Sequence, residues 1–172
     1  MPKYDMMIIG HITDDTLEYQ GKVTGFTGGA AYFSSFAAKR AQAKIYVVTK
    51  LAQEDFGALD GLRKEGVEIL AISSPQTTSI ANIFESNDLD QRRTTLRSQA
   101  DPFKSEDIPN VETRIYYLAG LFAGEIPNVL IESLSKKGAV GLDLQAMLRS
   151  NEDVRFPFKD WTEKERYLPM VA

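Results

Sequence analysis

The sequence contains no cysteine and a single histidine, His11, among its 172 residues. The lack of cysteine excludes disulfide scaffolds, thiolate-bound zinc and cysteine nucleophiles. One histidine excludes a multi-histidine metal site within one chain, and a Ser–His–Asp triad would have to use His11. Because no serine lies in a nucleophile-elbow motif, we interpret His11 as a structural residue rather than a catalyst.

Long hydrophobic runs and strong positive charge are also missing. The apolar run near the N-terminus covers only residues 6–9, whereas a membrane-spanning helix needs about 20 apolar residues. The net charge is −4, from 20 basic and 24 acidic side chains, and a nucleic-acid groove needs a positive field. We therefore predict no membrane partner, no nucleic-acid partner and a cytoplasmic location.

The composition that remains is typical of a globular domain, with 43% hydrophobic and 26% charged residues. The length predicts one domain, residues 1–172. Hydrophobic periodicity alternates along the chain between strand-like and helix-like segments. Strands are predicted at 6–10, 44–51, 67–72, 114–121 and 139–144, and helices at 30–41, 55–65, 127–137 and 159–168. This alternation predicts an α/β fold with a parallel sheet and helices on its faces.

Two polar segments interrupt that pattern, at about residues 12–25 and 76–98. In the second segment Ile80, Asn82 and Phe84 alternate with their neighbours, and a polar turn follows at 87–91. Alternation of this kind predicts half-exposed hairpins. From the pattern alone, a simple surface excursion is an equal alternative for the second segment.

A glycine pair and an aspartate lie where an α/β sheet binds ligands. Gly28 and Gly29 precede a predicted helix, whose first amides have no intrahelical partner and can bind phosphate or sugar oxygens. Asp14 follows the first strand, where its carboxylate can accept hydrogen bonds from two hydroxyls of a polyol. The alternatives are a plain turn for the glycine pair and a turn-forming or capping role for Asp14.

A second aspartate, Asp143, ends another predicted strand, and this position suits a ligand or a magnesium ion. Equal alternatives for Asp143 are a helix cap and an ion pair with Arg149. The Gly-x-Gly-x-x-Gly dinucleotide fingerprint is absent after the first strand, and the phosphate-loop motif is absent throughout.

Five stretches, in this order, resemble the N-terminal part of the ribokinase-like (PfkB) carbohydrate kinase family. They are Ile8-Ile9-Gly10 with Asp14 following, Gly28-Gly29-Ala30-Ala31, Val48 to Gly57, Leu62 to Val67, and Gly141 to Arg149. The resemblance covers residues 6 to about 149. It implies a three-layer α/β/α Rossmann-like sandwich with a mainly parallel sheet and a small β lid. The two polar segments would form that lid.

The resemblance also implies a function. Members transfer a phosphoryl group from ATP, with magnesium, to a hydroxyl of a sugar, polyol or nucleoside. By resemblance, Asp14 binds sugar hydroxyls, Gly28 and Gly29 line the substrate site, and Asp143 lies near the phosphates and the metal. Lid strands of two chains are expected to pair, which would give a homodimer.

The family's Gly-Ala-Gly-Asp motif, which supplies the catalytic base and the anion hole, does not occur in this sequence. We expect it beyond Ala172, assign no catalytic residue, and expect no kinase activity from these residues alone. The C-terminal part of the fold is then expected to be missing. The alternative is a non-catalytic module that binds a small molecule or dimerises through its lid. An unrelated nucleotide-binding domain is a weaker third hypothesis.

Two residues depart from the family pattern and bear on the substrate. Phe33 stands where many members have an asparagine, and Ala52 stands where a glycine precedes the acidic pair. A phenylalanine cannot hydrogen-bond a hydroxyl. We therefore expect a bulkier or less polar acceptor than ribose, such as an inositol or a nucleoside.

Overall fold

The computed structural model describes residues 2–86, 88, 90–152 and 156–172. Its larger sheet is parallel throughout and has the strand order β5-β4-β1-β8-β9. The strands are β1 (Tyr4–Ile9), β4 (Ile45–Leu51), β5 (Glu68–Ser73), β8 (Thr113–Leu118) and β9 (Ala139–Leu142). This arrangement confirms the mainly parallel sheet expected from the sequence.

Helices cover both faces of this sheet, which explains why its strands are continuous apolar runs. The helices are α1 (Ala30–Arg40), α2 (Asp60–Lys64), α3 (Asn128–Ser135), α4 (Gln145–Leu148) and α5 (Lys164–Tyr167). Ile8 and Val47 pack in a cluster with residues of α1 and α2. Met7 and Ile9 pack in a second cluster with residues of α3, α4 and α5. Because successive residues of β1 enter opposite clusters, the fold has three layers.

A second sheet of four strands, which we call the lid sheet, has the order β3-β2-β6-β7. Its strands are β2 (Thr13–Tyr19), β3 (Lys22–Gly28), β6 (Ser79–Phe84) and β7 (Arg92–Ser98). Both polar segments of the sequence therefore form hairpins. The hairpins join because β2 pairs in parallel with β6, a long-range pairing that local alternation cannot reveal. Positions 87 and 89 of the expected turn lie outside the described residues.

Two predicted helices are shorter than the sequence indicates. Residues 55–65 divide into a 3₁₀ segment, Gln53–Leu59, and the one-turn helix α2. Asp55 does not cap a helix there, because its carboxylate accepts a 2.5 Å hydrogen bond from the Thr77 hydroxyl. The last helix is limited to α5, and a 3₁₀ turn that contains Pro169 follows it. Proline cannot donate the backbone hydrogen bond that would continue a helix.

The strand order places a switch point at the centre of the larger sheet. From β1 the chain proceeds to β4 and β5 on one side, and later to β8 and β9 on the other. The carboxyl ends of β1 and β8 therefore diverge into separate loops, which is where open α/β sheets bind ligands. The lid sheet begins directly after the end of β1, so it lies beside this edge. In the described part of the chain, no helix is long and apolar enough to cross a membrane.

Candidate functional site

A buried carboxylate, Glu125, holds together the two loops at the switch point. It is 1% exposed. One of its oxygens accepts a hydrogen bond from the amide of His11 at 3.2 Å. The other accepts from the amides of Leu121 at 2.8 Å and Phe122 at 3.3 Å. Three amide donors satisfy the buried carboxylate, so Glu125 fixes the loop after β1 relative to the loop after β8.

His11 connects the same region to the lid sheet. Its ring is fully buried, and its Nε2 lies 3.0 Å from the carbonyl oxygen of Asp101, which can only accept. The Nδ1 atom lies 3.0 Å from the Thr78 hydroxyl, which also accepts a hydrogen bond from the amide of Ala100. These contacts anchor the residue before β6 and leave no face of the imidazole open to a ligand. The geometry fits the structural role expected for His11.

A pocket of about 270 Å³ opens between this edge of the sheet and the lid sheet. Residues of the lid sheet, of the start of α1, of the loop after β8 and of the two ends of α4 line it. They are Asp15, Gly29, Ala30, Phe33, Ile80, Asn82, Arg92, Leu121, Gln145 and Arg149. We call this cavity the acceptor pocket.

The carboxylate in the acceptor pocket belongs to Asp15, which is 7% exposed. Its Oδ1 accepts a 2.9 Å hydrogen bond from the amide of Ile80 on the neighbouring strand. Burial raises the pKa of this carboxyl, and that hydrogen bond opposes part of the rise. Asp15 is thus a positioned carboxylate at the wall of a cavity, with capacity left to accept hydrogen bonds from hydroxyl groups.

Asp14, the aspartate that the sequence pattern selected, is exposed and does not line this pocket. It borders a different depression of about 350 Å³, where Glu54 and Asp55 also lie. The physical reason is that both aspartates belong to β2, and successive side chains of a strand point to opposite faces. The aspartate that lines this pocket is therefore one residue later than the one selected from the sequence.

The glycine pair lies beside this pocket, with Gly29 among the lining residues. A Cβ on Gly28 would lie 2.6 Å from Oδ2 of Asp15, so the missing side chain leaves room for that carboxylate. Gly29 lines the pocket with a φ of 97°, and a Cβ there would lie 2.5 Å from the carbonyl oxygen of His11. Gly29 is also the N-cap of α1 and makes no side-chain cap. The amides of Tyr32 and Phe33 donate to the carbonyl of Gly29 at 3.1 and 3.2 Å. Of the first turn of α1, the amides of Ala30 and Ala31 are therefore the ones available as donors beside the pocket.

Two further side chains define the opposite walls. The Oδ1 atom of Asn82 lies 3.4 Å from the Thr94 hydroxyl, which leaves the amide group of Asn82 free to donate. Phe33 is 59% exposed and presents its ring to the pocket. An exposed aromatic face suits the C–H face of a ring-shaped ligand rather than a hydroxyl.

Asp143 is held in a local turn. Its Oδ1 accepts from the amide of Gln145 at 3.1 Å, and its Oδ2 accepts from the side-chain nitrogen of Gln145 at 3.2 Å. This is the geometry of the capping alternative, and it orients Gln145 towards the acceptor pocket. Among the described residues, no group of three His, Asp or Glu side chains could hold a metal ion. The described residues by themselves therefore form no complete set of protein ligands for magnesium.

Sequence reasoning missed most of the lining. Asp15, Asn82, Arg92, Gln145 and Arg149 all line the cavity and were not selected as site residues from the sequence. Strand alternation in the lid sheet could have identified Asn82, since it shares a face with Ile80 and Phe84. The loop residues Gln145 and Arg149 carry no such periodic signal.

Comparisons with known proteins place this geometry in context. No family model matches the chain. No curated protein matches it. A pyrophosphate-dependent kinase in the ribokinase family, solved as a sulfate complex, has a TM-score of 0.88 and 33% identity over 96% of this chain and 59% of its own. A structure of such a kinase with a pyrophosphate analogue and myo-inositol has a TM-score of 0.86 and 32% identity, over 96% of this chain and 58% of its own.

More distant structures share the fold alone. The nucleoside kinase of Methanocaldococcus jannaschii, a member of the ribokinase family, has a TM-score of 0.62 and 15% identity over 83% of this chain and 53% of its own. Against the pyrophosphate-dependent kinases, the chain spans 58–59% of the relatives' length.

Proposed function

Because this chain belongs to the ribokinase-like family, we propose that it forms the acceptor-binding part of a kinase that phosphorylates a hydroxyl of a cyclic polyol. The family resemblance and the fold class expected from the sequence are both confirmed. Kinase neighbours support this function over a non-catalytic module. The choice of a polyol, the donor and the residue roles are our proposals.

The observation that carries the proposal is the convergence of three kinds of polar group on one pocket. The Asp15 carboxylate accepts hydrogen bonds, while the first amides of α1 and the Asn82 side chain donate them. A polyol hydroxyl both donates and accepts, so it can be held from two sides. Gly28 and Gly29, which the sequence assigned to the substrate site, make room for the carboxylate and open the helix.

The shape of the pocket supports a ring-shaped acceptor. Phe33 occupies the wall next to the start of α1, where its ring can cover the C–H face of a cyclitol. One relative that shares 32% of its residues was solved with myo-inositol bound. We therefore place inositols first among the sugar, polyol and nucleoside acceptors that the family resemblance allows.

The contribution of these residues to phosphoryl transfer is to orient the hydroxyl. Transfer depends on an attacking oxygen held in line with the phosphoryl group, and on charge stabilisation around that group. Asp15 and the α1 amides fix the acceptor oxygen atoms. We assign no catalytic base in the acceptor pocket.

The donor is the second open choice. The sequence resemblance implied ATP with magnesium, whereas the relatives at 32–33% identity are described as pyrophosphate-dependent. We propose a phosphoanhydride donor and favour pyrophosphate over ATP on that likeness.

We also propose that the protein forms a homodimer through its lid sheet. Strands β3 and β7 are the edges of that sheet. The edge strand β3 carries Val23 at 57% and Phe26 at 37% exposure. An exposed strand edge with apolar side chains favours pairing with a second copy. Light scattering over a concentration series tests this, with Val23→Lys expected to weaken the dimer, and a monomer at every concentration would refute it.

Turnover measurements on the full-length gene product test the kinase. Inositols, sugars and nucleosides are each offered with pyrophosphate or ATP, and phosphorylated product is measured by mass spectrometry. We expect the highest kcat/KM for an inositol. Saturable acceptor binding without product from either donor would instead favour the non-catalytic module, and an absence of acceptor binding would refute the assignment of the pocket.

A further inference from the structure

Two arginines stand at the mouth of the acceptor pocket. A second depression, of about 460 Å³, adjoins the pocket and is lined by Asp90, Arg92, Thr94, Gln145, Arg149, Phe156 and Phe158. The residues common to both cavities are Arg92, Gln145 and Arg149. Among the described residues, the boundary between the two cavities is therefore formed by two arginines and one glutamine.

Arg149 is held firmly from its backbone. Its amide donates to the carbonyl of Gln145 at 2.9 Å, and its own carbonyl accepts from the amide of Ala123 at 2.8 Å. Its guanidinium carbon lies 5.0 Å from the ring centroid of Phe122 and 4.5 Å from that of Phe156. Stacking against aromatic faces leaves the in-plane N–H groups of a guanidinium free to bind a ligand.

Neither arginine is neutralised by a carboxylate. In the described part of the chain, Arg92 and Arg149 form no ion pair, whereas the neighbouring Arg93 contacts Glu85 at 3.2 Å. Burial lowers the pKa of the Arg149 guanidinium, the charge of Arg92 lowers it further, and Asp15 and Asp143 oppose these effects. The positive charge of Arg92 therefore repels that of Arg149 across the boundary.

We propose that Arg92 and Arg149 together bind a phosphoryl-type dianion at the mouth of the acceptor pocket. Guanidinium groups bind tetrahedral oxyanions with two parallel hydrogen bonds each, and an anion placed between them removes their repulsion. The anion has two possible sources, which share this chemistry. It is either the terminal group of the phosphoryl donor or a phosphate already present on the acceptor.

The site also links two parts of the molecule. Arg92 begins β7 of the lid sheet, whereas Arg149 follows α4 beside the larger sheet. An anion that contacts both side chains holds the lid sheet against the larger sheet. The proposal rests on the proposed function only in using the same cleft.

Binding measurements on the full-length gene product test the site directly. The probes are inorganic phosphate, pyrophosphate, myo-inositol and myo-inositol phosphate, measured by calorimetry at fixed salt. The variants are Arg92→Gln and Arg149→Met, and the latter preserves much of the packing against the two rings. The matched control is Arg93→Gln, because Arg93 lies on the same strand but on its other face.

We expect each variant to raise the Kd of the bound anion at least tenfold, while the control stays within twofold. Loss of pyrophosphate affinity alone identifies the donor as the source. Loss of the preference for myo-inositol phosphate over myo-inositol identifies a phosphorylated acceptor. Anion affinities that are unchanged in Arg92→Gln, a variant of an exposed side chain, overturn the proposal.

The two hypotheses fail separately in this experiment. If both proposals are correct, Asp15→Asn weakens the binding of neutral myo-inositol and leaves the binding of phosphate intact. Loss of anion binding in the arginine variants without any effect of Asp15→Asn refutes the acceptor pocket alone. The reverse result refutes the anion site alone.

Discussion

The substitution Asp15→Asn removes the negative charge from the acceptor pocket and retains an oxygen that can accept from the amide of Ile80. A hydrogen bond to a charged group contributes about 1.5–3 kcal/mol. At about 1.4 kcal/mol for each factor of ten, its loss raises the acceptor Kd about 10- to 150-fold. Calorimetry with myo-inositol measures this Kd, and turnover measurements on the full-length gene product give the corresponding KM.

Asp14→Asn is the matched control, because it makes the same chemical change one residue earlier on the exposed face of β2. We expect its Kd for myo-inositol to stay within twofold of the unmodified protein. If Asp14→Asn weakens the binding of myo-inositol and Asp15→Asn does not, the assignment of the pocket carboxylate is wrong and the position chosen from the sequence is right.

The pH dependence gives the same prediction an independent readout. Burial raises the pKa of Asp15 above its ordinary value. Between the ordinary and the raised pKa, the folded protein binds a proton that the unfolded chain does not, so the contribution of this group to stability increases as the pH falls. Acceptor affinity changes the opposite way, since the protonated carboxyl is a poorer acceptor. Asp15→Asn should remove this component from both profiles, and its melting temperature at pH 7 should be no lower.

Three shorter predictions concern the supporting residues. Gly28→Ala places a Cβ 2.6 Å from Oδ2 of Asp15 and should raise KM about 10- to 100-fold. A Cβ at Gly25 would lie 4.0 Å from its nearest atom, the carbonyl oxygen of Asp15, so Gly25→Ala should leave KM unchanged. Equal KM values for the two variants would contradict the proposed spacing role of Gly28. Glu125→Gln leaves buried amides without an acceptor and should cost about 1–3 kcal/mol of unfolding free energy, seen as a shifted denaturant midpoint without a changed m value. Glu132 is a partly exposed carboxylate in ion pairs with two exposed cations, so Glu132→Gln should change that midpoint little. A larger effect there than at Glu125 would refute the role of the buried carboxylate. Phe33→Asn should shift the preference of the pocket from inositol towards acyclic or smaller polyols, measured as a ratio of kcat/KM values, and an unchanged ratio would remove Phe33 from the recognition surface.

The sequence carries strong information about the larger sheet, for a physical reason. Successive residues of its central strands β1 and β4 pack in opposite clusters, so these two strands appear as continuous apolar runs that can be recognised without their partners. Helix α1 follows from its spacing and from Gly29 before it. The prediction of one continuous helix over 55–65 was wrong, because Gly57 and Gly61 lower helix propensity. Asp55 accepts a hydrogen bond from Thr77 instead of capping a helix.

The pairing of β2 with β6 cannot be predicted from the local sequence pattern, because the paired residues are more than 60 positions apart. Taken alone, each hairpin shows in the sequence only as an alternation of apolar and polar residues, which is typical of a half-exposed strand. Only the parallel contact between them converts two surface excursions into one sheet and brings Asn82 near Asp15. The lining of the acceptor pocket is a product of that long-range contact.

Strand geometry decides which of the two neighbouring aspartates, Asp14 or Asp15, faces the pocket. The two residues are chemically identical neighbours, and either one fits an aspartate that follows the first strand. Side chains in a strand alternate with a period of two, so a shift of one residue exchanges the pocket face for the solvent face. The pairing of Asp15 with Phe26, and the hydrogen bond from Ile80, fix which of the two turns inwards. Spacing from Gly10 could locate a candidate carboxylate to within one residue, and only the register of the lid sheet shows that Asp15 is the one that lines the pocket.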